Sequence, residues 1–453
     1  MKTKIISGII FISIVFLSSC GGWINPGLNT DPTGPMDASL NAILPTAQSG
    51  IAYVVGGDIG RFVSLFTQHH TGIDRQHLGL YNYVISESDI DNAWNTMYYG
   101  PMEDLYIMIN KSQINGSPHY QGIAEILMAF SLGTWTDILG DIPYSESFQG
   151  ADNFTPVYDS QQKIYNSIQT LLDSAIIHLA AAKSNYNPGA DDFMYGGDLA
   201  LWTKAAYNLK ARYLLHLKKY SEALTALTNS FADNSEDLQF NFTQKESEAN
   251  PWYQFMTQRG DISMGGFLMT MMNTLSDPRR SAYAEKDDAG GYSENSTLGA
   301  FYASINSPVP FSTYVEGKFI EAEAQFQGGN KAAAYTAYIS AITASLEKVG
   351  VNAADVATYL ANPLVGVGEA NITLKAIMEQ KYIALYTQPE GWSDWRRTSF
   401  PALTPTSGNQ IPRRMPYPQS ERLFNGDNLR AVPDYNPSNT FIFTKMWWDK
   451  TYW

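Results

Sequence analysis

VEGKFIEAEAQFQGGNKAAAYTAYISAI, residues 315–342, carries the clearest fold signal in the sequence. Apolar residues on both sides of its Gly328-Gly329-Asn330 turn return at spacings of three and four, which is the period of a helix. They are Val315, Phe319, Ala322 and Phe326 before the turn, and Ala334, Ala337, Tyr338, Ala341 and Ile342 after it. Small residues let two helices approach and large ones fill the gaps. The stretch predicts a tetratricopeptide-like helix pair, although a generic helical hairpin would carry a similar pattern.

A second stretch repeats this arrangement on either side of Lys218-Lys219. Its stripe comprises Trp202, Ala205, Ala206, Leu209, Tyr213 and Leu217, and resumes at Tyr220, Ala223, Leu224 and Leu227. We expect further helices near residues 37–54, 90–112, 119–133, 159–183 and 371–387. The sequence therefore predicts an all-α fold, in which tetratricopeptide-like helix pairs form a scaffold within one large domain, residues 36–453.

Four long stretches lack helical periodicity: residues 140–158, 229–264, 287–312 and everything after Thr398. They are rich in Gly, Pro, Asn, Ser and aromatic residues. Structureless loops of this length are usually functional or disordered, and the aromatic content argues against disorder. We expect long irregular but ordered loops on the helical scaffold.

The composition excludes several classes of protein. The 453 residues carry 30 Lys+Arg against 44 Asp+Glu, a net charge of −14, and no basic run, which argues against a nucleic-acid partner. The single cysteine excludes an internal disulfide and a thiolate zinc cage.

That cysteine follows a targeting segment. Lys2 and Lys4 precede an apolar run that ends in Leu17-Ser18-Ser19-Cys20, and the run is shorter than a membrane-spanning helix. Leu-Ser-Ser-Cys resembles the bacterial lipobox, although a signal peptide cut elsewhere would leave Cys20 an ordinary residue. We predict a signal peptide over residues 1–19, lipidation of Cys20, a Gly- and Pro-rich tether over residues 20–35, and no later membrane span. Cleavage would take the net charge from −14 to −16, because the lost segment carries two lysines and no acid.

Signatures of catalysis and of metal binding are weak. The sequence has no nucleophile elbow, no H-E-x-x-H and no phosphate-binding loop. His69, His70, Asp74 and His77 offer metal-ligand chemistry, but a solvated helix end would carry the same cluster. Asp89 and Asp91 lack the remaining residues of a calcium loop and suit helix capping. We predict no cofactor and no metal, with calcium left open.

Aromatic residues in the loops suit ligand binding. Tyr81 and Tyr83, the segment Trp252-Tyr253-Gln254-Phe255, and Tyr292 and Tyr302 lie beside Asn, Gln, Asp and Arg. Aromatic faces stack on sugar rings while polar groups bond the hydroxyls, and the same surface would suit peptides. Such rings also pin loops to a scaffold. The ligand-contact prediction comprises Gln68, His69, Asp74, Arg75, Tyr81, Tyr83, Trp252, Tyr253 and Arg259.

The order of several segments resembles the SusD/RagB family of outer-membrane lipoproteins of Bacteroidota, and its SusD-like branch in particular. These are the lipobox, Asn29–Pro32, Gly140–Glu146, Pro156–Asp159, Lys210–Tyr213, Asn250–Tyr253, Asp277–Arg279, Gln380–Tyr386, Trp392–Thr398, Ile411–Pro418 and Trp447–Asp449. The resemblance implies four tetratricopeptide-like helix pairs, no catalysis, and a lid-like position over a SusC-type TonB-dependent transporter. The lipoprotein would capture oligosaccharides or oligopeptides and close on the barrel.

Two departures from the family pattern concern the tether. No acidic residue follows Cys20, so a cell-surface location, lipid-anchored in the outer membrane, rests on the resemblance alone. Thr33 stands where the family often has Asn.

The Trp392–Thr398 segment is predicted to be structural. Trp392, Asp394, Arg396 and Arg397 suit a buried ion pair and a stacked guanidinium, and Glu379 could join them. Two other functions remain open beside ligand capture: an exported glycan-active hydrolase on the same scaffold, and a scaffold that only assembles envelope proteins.

Overall fold

The computed structural model describes residues 38–452. The predicted signal peptide, the lipidation at Cys20 and the tether over residues 20–35 lie outside this range. Three groups of helices follow one another along the chain. The first group comprises α1 (Leu40–Val54), α2 (Gly60–Phe66), α3 (Arg75–Tyr81), α4 (Ser88–Met97), α5 (Glu103–Asn115), α6 (Pro118–Leu139) and α7 (Gln161–Leu179). Turns of π-helix, Val55–Ile59 and Tyr98–Met102, join α1 to α2 and α4 to α5.

The remaining helices belong to the second and third groups. The second comprises α8 (Leu199–His216), α9 (Tyr220–Leu227), α10 (Pro251–Gln258), α11 (Gly266–Thr274), α12 (Arg280–Tyr283), α13 (Ala300–Ala303) and α14 (Tyr314–Gln327). The third comprises α15 (Lys331–Lys348), α16 (Ala353–Ala361), α17 (Leu374–Ala384), α18 (Glu390–Thr398), α19 (Gln419–Phe424), α20 (Gly426–Arg430) and α21 (Trp447–Tyr452).

Short strands form three two-stranded antiparallel ribbons between the helices. The strands are β1 (His70–Gly72), β2 (Ile142–Pro143), β3 (Tyr158–Asp159), β4 (Leu238–Phe240), β5 (Ile262–Met264) and β6 (Val309–Ser312). They pair as β1 with β5, β2 with β3 and β4 with β6. In the first ribbon His70 lies opposite Met264 and Gly72 opposite Ile262.

The helix pair read from residues 315–342 is confirmed as α14 and α15. Gly329 joins them with a φ of 82°, a conformation that glycine adopts without strain. The Asn330 side chain then accepts a hydrogen bond of 3.2 Å from the Ala333 N–H and caps α15. The alanines of the stripe are buried between the two helices. The all-α scaffold of packed helix pairs is therefore as predicted.

Helices α6, α7 and α8 pack against one another in the first half of the scaffold. Helices α6 and α7 pack along their lengths, and α7 in turn contacts α8. Gly133 of α6 lies against Tyr213 of α8, where a Cβ atom would come within 2.0 Å of the tyrosine Oη. Glycine is needed here because no side chain fits between the helices.

One expectation about these segments is wrong. Helix α10 lies within residues 229–264, which were expected to be irregular; Asn250 caps it and Pro251 occupies its first turn. Helix α6 is long and apolar enough to cross a membrane by composition, but all of that apolar window is buried in the helical core. A buried core helix and a membrane span share the same composition.

Candidate functional site

An open groove of about 910 Å³ lies between α11, the loop 292–295, the loop 363–373 and the start of α17. We call it the α11 groove. Helix α11 turns Leu268, Met269 and Met272 into the core. Its other face, which includes Phe267 and Thr270, lines the groove. The helical period of three to four residues thus separates packing residues from those open to a ligand.

Tyr292 faces the groove from a loop that is held by hydrogen bonds. The Asn273 side chain donates a 2.8 Å bond to the Tyr292 carbonyl and accepts one of 2.9 Å from Arg280. The Arg280 guanidinium lies 5.7 Å from the centroid of the Tyr292 ring. The Asp287 carboxylate binds the Gly291 N–H at 2.9 Å and so closes the base of the loop. The tyrosine is therefore positioned before any ligand arrives.

Several polar side chains of the α11 groove are free for a ligand. Within residues 38–452, the side chains of Thr270, Glu294 and Asn295 make no hydrogen bond. The Lys375 Nζ lies 3.8 Å from the Glu379 Oε1, which is close enough for an ion pair but too far for a hydrogen bond. Burial raises the pKa of the Glu379 carboxyl above its usual value, and the lysine charge opposes that rise. The groove thus offers rings, hydrogen-bond donors and acceptors side by side.

Gln68, His69 and Trp252 are buried, so the prediction that they contact ligand fails on accessibility. Gln68 donates to the Thr404 carbonyl at 2.5 Å, and the His69 Nε2 bonds the Tyr382 carbonyl at 3.0 Å. Burial lowers the pKa of His69 to about 3, and the bond to Tyr382 raises it only in part. Trp252 packs 4.9 Å from the ring of His70. All three hold the β1–β5 region to the scaffold.

The histidines were expected at a solvated helix end. They are not there, because His69, His70 and His77 are all buried. The His70 ring bonds the Tyr386 hydroxyl at 2.6 Å. The pKa of His70 lies well below its usual value because burial disfavours the charged ring, and so does the neighbouring His69.

Three predicted tyrosines make contacts to other loops. The Tyr83 hydroxyl accepts a 3.1 Å bond from the Thr406 N–H, and the Thr406 hydroxyl bonds the Tyr81 carbonyl. Tyr253 donates to Glu246 at 3.0 Å. The Tyr83 and Tyr253 hydroxyls and the Tyr81 carbonyl thus bond neighbouring segments, and ligand contact by these three residues stays a prediction.

Asp74, Arg75 and Arg259 do come together, around a residue that sequence reasoning missed. Arg75 Nη1 bonds Asp261 Oδ1 at 2.9 Å, and Arg259 Nε bonds Asp261 Oδ2 at 3.0 Å. Asp74 caps α3 and lies 3.8 Å from Arg75. The Asp261 side chain is only 1% exposed, whereas those of Arg75 and Arg259 are 59% and 41% exposed.

The Trp392–Thr398 segment forms a buried network. The Arg397 guanidinium bonds Asp394 and both oxygens of Glu323, and Lys381 lies 2.7 Å from Asp394. The Arg396 guanidinium lies 4.0 Å from the centroid of the Trp392 ring. Glu379, which was expected to join this network, lines the α11 groove instead, because α17 turns it to the opposite side from Lys381.

Asp137, His216 and Glu390 are the one buried group in the described chain whose ligand atoms lie close enough for a metal ion, within 4.8 Å of one another. Hydrogen bonds already join them. The His216 Nε2 bonds Glu390 at 2.7 Å, and the Tyr165 hydroxyl bridges His216 Nδ1 and Asp137. Glu390 keeps a lowered pKa of about 2: burial would raise it, but His216 and Arg212 overcome that effect. The group is a satisfied polar network that joins α6, α8 and α18.

The groove residues were largely missed from the sequence. Tyr292 is among the loop aromatics that suit ligand binding but is absent from the ligand-contact prediction, and Phe267 was not noticed. The loop 363–373 and the helices α11 and α17 lie far apart along the chain, so no local pattern connects them. The available signal was a run of outward-facing polar residues on an otherwise apolar α11.

Comparison with known proteins gives a consistent result. Residues 33–418 match the SusD-like family described as "Starch-binding associating with outer membrane". A SusD/RagB family protein from Bacteroides thetaiotaomicron superposes with a TM-score of 0.78 at 23% identity, over 91% of this chain and 99% of its own. No curated protein matches the sequence.

Two further solved structures share the fold. A chitin-binding protein has a TM-score of 0.77 at 22% identity, with 91% of this chain and 100% of that chain covered. A SusD homolog from Bacteroides fragilis has a TM-score of 0.74 at 21% identity, with 91% and 99% covered. Because most of each chain is matched, the likeness extends over the whole helical domain.

Proposed function

This chain belongs to the SusD-like family, described as starch-binding and associating with the outer membrane, and from that premise we propose that it captures oligosaccharides in the α11 groove. The capture would be non-catalytic, and the chain would deliver its ligand to a SusC-type TonB-dependent transporter. The lipidated Cys20 would anchor it to the outer membrane, facing the cell exterior. The α11 groove is the observation that carries the proposal.

The groove matches the chemistry of a sugar chain. Phe267 and Tyr292 line the groove, and aromatic rings stack on the C–H patches of a pyranose. Thr270, Glu294 and Asn295 offer both donors and acceptors, and a sugar hydroxyl needs both. An open groove of about 910 Å³ has room for several sugar units.

Binding in such a groove is expected to be weak. Hydroxyls and polar side chains exchange bonds with water on both sides, so each contact contributes little net free energy. We expect dissociation constants between roughly 1 μM and 1 mM, or about −8 to −4 kcal/mol. Retention would then depend on closure against the transporter.

Calorimetry with malto-oligosaccharides and chito-oligosaccharides tests the capture step. We expect one of the two series to bind wild-type protein, and Tyr292→Ala and Phe267→Ala to weaken that binding at least tenfold. Tyr186→Ala and Phe154→Ala are matched controls, since these rings are 60% and 79% exposed outside the groove. Equal affinity in groove and control variants would refute the groove assignment.

Two further outcomes separate the alternatives. Release of shorter sugars from the incubated ligand would favour a glycan-active hydrolase, and binding of oligopeptides alone would move the ligand class to peptides. Co-purification of a TonB-dependent barrel from outer membranes tests the transporter partner, and Cys20→Ala should abolish fatty-acid labelling and membrane retention. Absence of any barrel in the purified complex would contradict the delivery step.

A further inference from the structure

A pair of half-exposed arginines shares one buried carboxylate at the end of the β1–β5 ribbon. Arg75 and Arg259 bind opposite oxygens of Asp261, at 2.9 and 3.0 Å. Each guanidinium carries five N–H donors, so both keep donors free after these bonds. The side chains are 59% and 41% exposed, and their free N–H groups therefore face water.

The carboxylate that holds this pair is itself fixed. The Asp261 carbonyl accepts a 2.8 Å bond from the Ile73 N–H, next to the pairing of Gly72 with Ile262. Burial acts to raise the pKa of the Asp261 carboxyl, but the hydrogen bond and charge of Arg259 and the charge of Arg75 hold it below its usual value. Asp261 stays ionised at neutral pH and fixes both guanidiniums.

The backbone of Arg75 and the packing behind Asp261 indicate that this group of side chains is held in a fixed position. Arg75 has a φ of 48°, a left-handed conformation that a long side chain rarely adopts. Behind the carboxylate, His77 is buried with no hydrogen bond on either ring nitrogen, and its Nδ1 lies 3.5 Å from Asp261. The His77 ring packs 4.8 Å from Phe255, which closes the rear of the site.

The hydrogen bonds left open at this site are nearly all donors. Arginine has no acceptor, and Asp261 is buried and already bonded. The exposed Asp74 carboxylate is the one acceptor beside the pair: it takes the Arg75 N–H at 2.8 Å and lies 3.8 Å from the guanidinium. A neutral sugar hydroxyl both donates and accepts, and the α11 groove suits it better. A group that only accepts, such as a carboxylate or a sulfate, matches two adjacent guanidiniums.

We propose that Arg75 and Arg259 bind an anionic oxygen group, carboxylate or sulfate, on a glycan ligand. The proposal rests on the proposed function, and it names a class of captured glycan, the acidic oligosaccharides, that the chain's net charge of −14 would otherwise disfavour. The local charges cancel, because three arginines lie beside three carboxylates: Arg61, Arg75 and Arg259 beside Asp58, Asp74 and Asp261. Selectivity would therefore come from the positions of the donors and not from a strong local field.

Calorimetry with three probes tests this site: tri-galacturonate for a carboxylate, a sulfated carrageenan tetrasaccharide for a sulfate, and maltotriose as the neutral sugar. We expect at least one acidic probe to bind wild-type protein, and Arg75→Gln and Arg259→Gln each to weaken it at least fivefold. Arg430→Gln is the matched control, because Arg430 is an exposed arginine that pairs with Asp427 elsewhere. The neutral sugar that binds wild-type protein, maltotriose or its chito-oligosaccharide counterpart, should respond to Tyr292→Ala and not to the arginine changes.

The outcomes separate the two proposals. Binding of neutral sugars with no binding of either acidic probe would overturn the anionic site and leave the proposed function standing. An acidic probe that binds both arginine variants as tightly as wild type would also overturn it. Failure of every glycan would count against the proposed function itself. Thermal denaturation of each variant shows whether it remains folded, and either arginine variant suffices for the test.

Discussion

Arg397 holds Glu323 through two parallel hydrogen bonds, 2.7 and 2.9 Å long, with both side chains fully buried. This ion pair joins α18 to α14, the first helix of the α14–α15 helix pair. Asp394 binds the same guanidinium and also Lys381 of α17. Three helices thus meet at one network of charges, and each charge has a partner of opposite sign.

Replacing Asp394 with alanine should destabilise the fold. The change leaves buried Lys381 without its carboxylate and removes one of the two acids beside Arg397. Loss of one partner from a buried pair costs about 3–5 kcal/mol. Chemical denaturation should show a drop of this size, whereas Asp427→Ala, which removes a 97% exposed carboxylate, should change stability by less than about 0.5 kcal/mol. Unchanged stability of the Asp394 variant would show that the network is dispensable.

The elements that could be predicted from the sequence are those with local periodicity. The pattern over Val315–Ile342 yields α14 and α15 because each helix carries its own apolar stripe. Helix α10 was missed, since eight residues that begin with Pro251 show too few turns for a period to emerge. Neither the α11 groove nor the partnership of Arg75 with Asp261 has a local signal, because chain folding brings distant segments together. The aromatic loop residues were noticed, but their burial depends on those same contacts.

Lowering the pH should destabilise the protein partly through His69. Its pKa is about 3 in the folded chain and about 6.5 when unfolded, so between these values only the unfolded state binds the proton. Stability is therefore lost as the pH falls from about 6.5 toward 3. Between pH 7.5 and 5.0 the loss from this residue is about 2 kcal/mol.

Urea denaturation of wild-type and His69→Gln proteins at pH 7.5 and 5.0 measures that loss. The difference between the two pH values should be smaller in the variant by about 2 kcal/mol. Carboxyls with a raised pKa, such as Asp137, change the pH dependence of stability in the opposite direction. Both proteins carry these carboxyls, so their contribution cancels in the comparison. His119→Gln serves as the control outside the buried cluster. An identical pH dependence in wild type and His69→Gln would contradict the assignment.

Gly133→Ala tests the close contact of α6 with α8. The added Cβ would lie 2.0 Å from the Tyr213 Oη and 2.2 Å from its Cζ, so the ring or a helix must move. Overpacking of this kind costs about 1–3 kcal/mol, more than the gain in helix propensity from glycine to alanine. Gly79→Ala in α3 is the matched control, because the nearest atom to a Cβ there is the Val84 carbonyl oxygen at 3.6 Å, an ordinary van der Waals contact. Thermal denaturation should separate the two variants, and equal melting temperatures would show that the helices adjust freely.

Asn273→Ala should weaken glycan binding in the α11 groove without unfolding the protein. Asn273 joins the Tyr292 carbonyl to Arg280, and its side chain lies at the surface, so little core packing is lost. The loop that carries Tyr292 would then lose its fixed position, and a ligand would have to order it on binding. We expect the dissociation constant to rise about three- to tenfold, or by about 0.7–1.4 kcal/mol.

Two measurements distinguish this effect from general damage. Hydrogen exchange should become faster for residues 287–295 in the Asn273 variant and remain unchanged in α14 and α15. Thr225→Ala removes an exposed side chain outside the groove, whose hydroxyl bonds only the Ser221 carbonyl, and it should leave both exchange and affinity near wild type. Faster exchange of the loop with no loss of affinity would mean that the fixed position of Tyr292 does not contribute to binding.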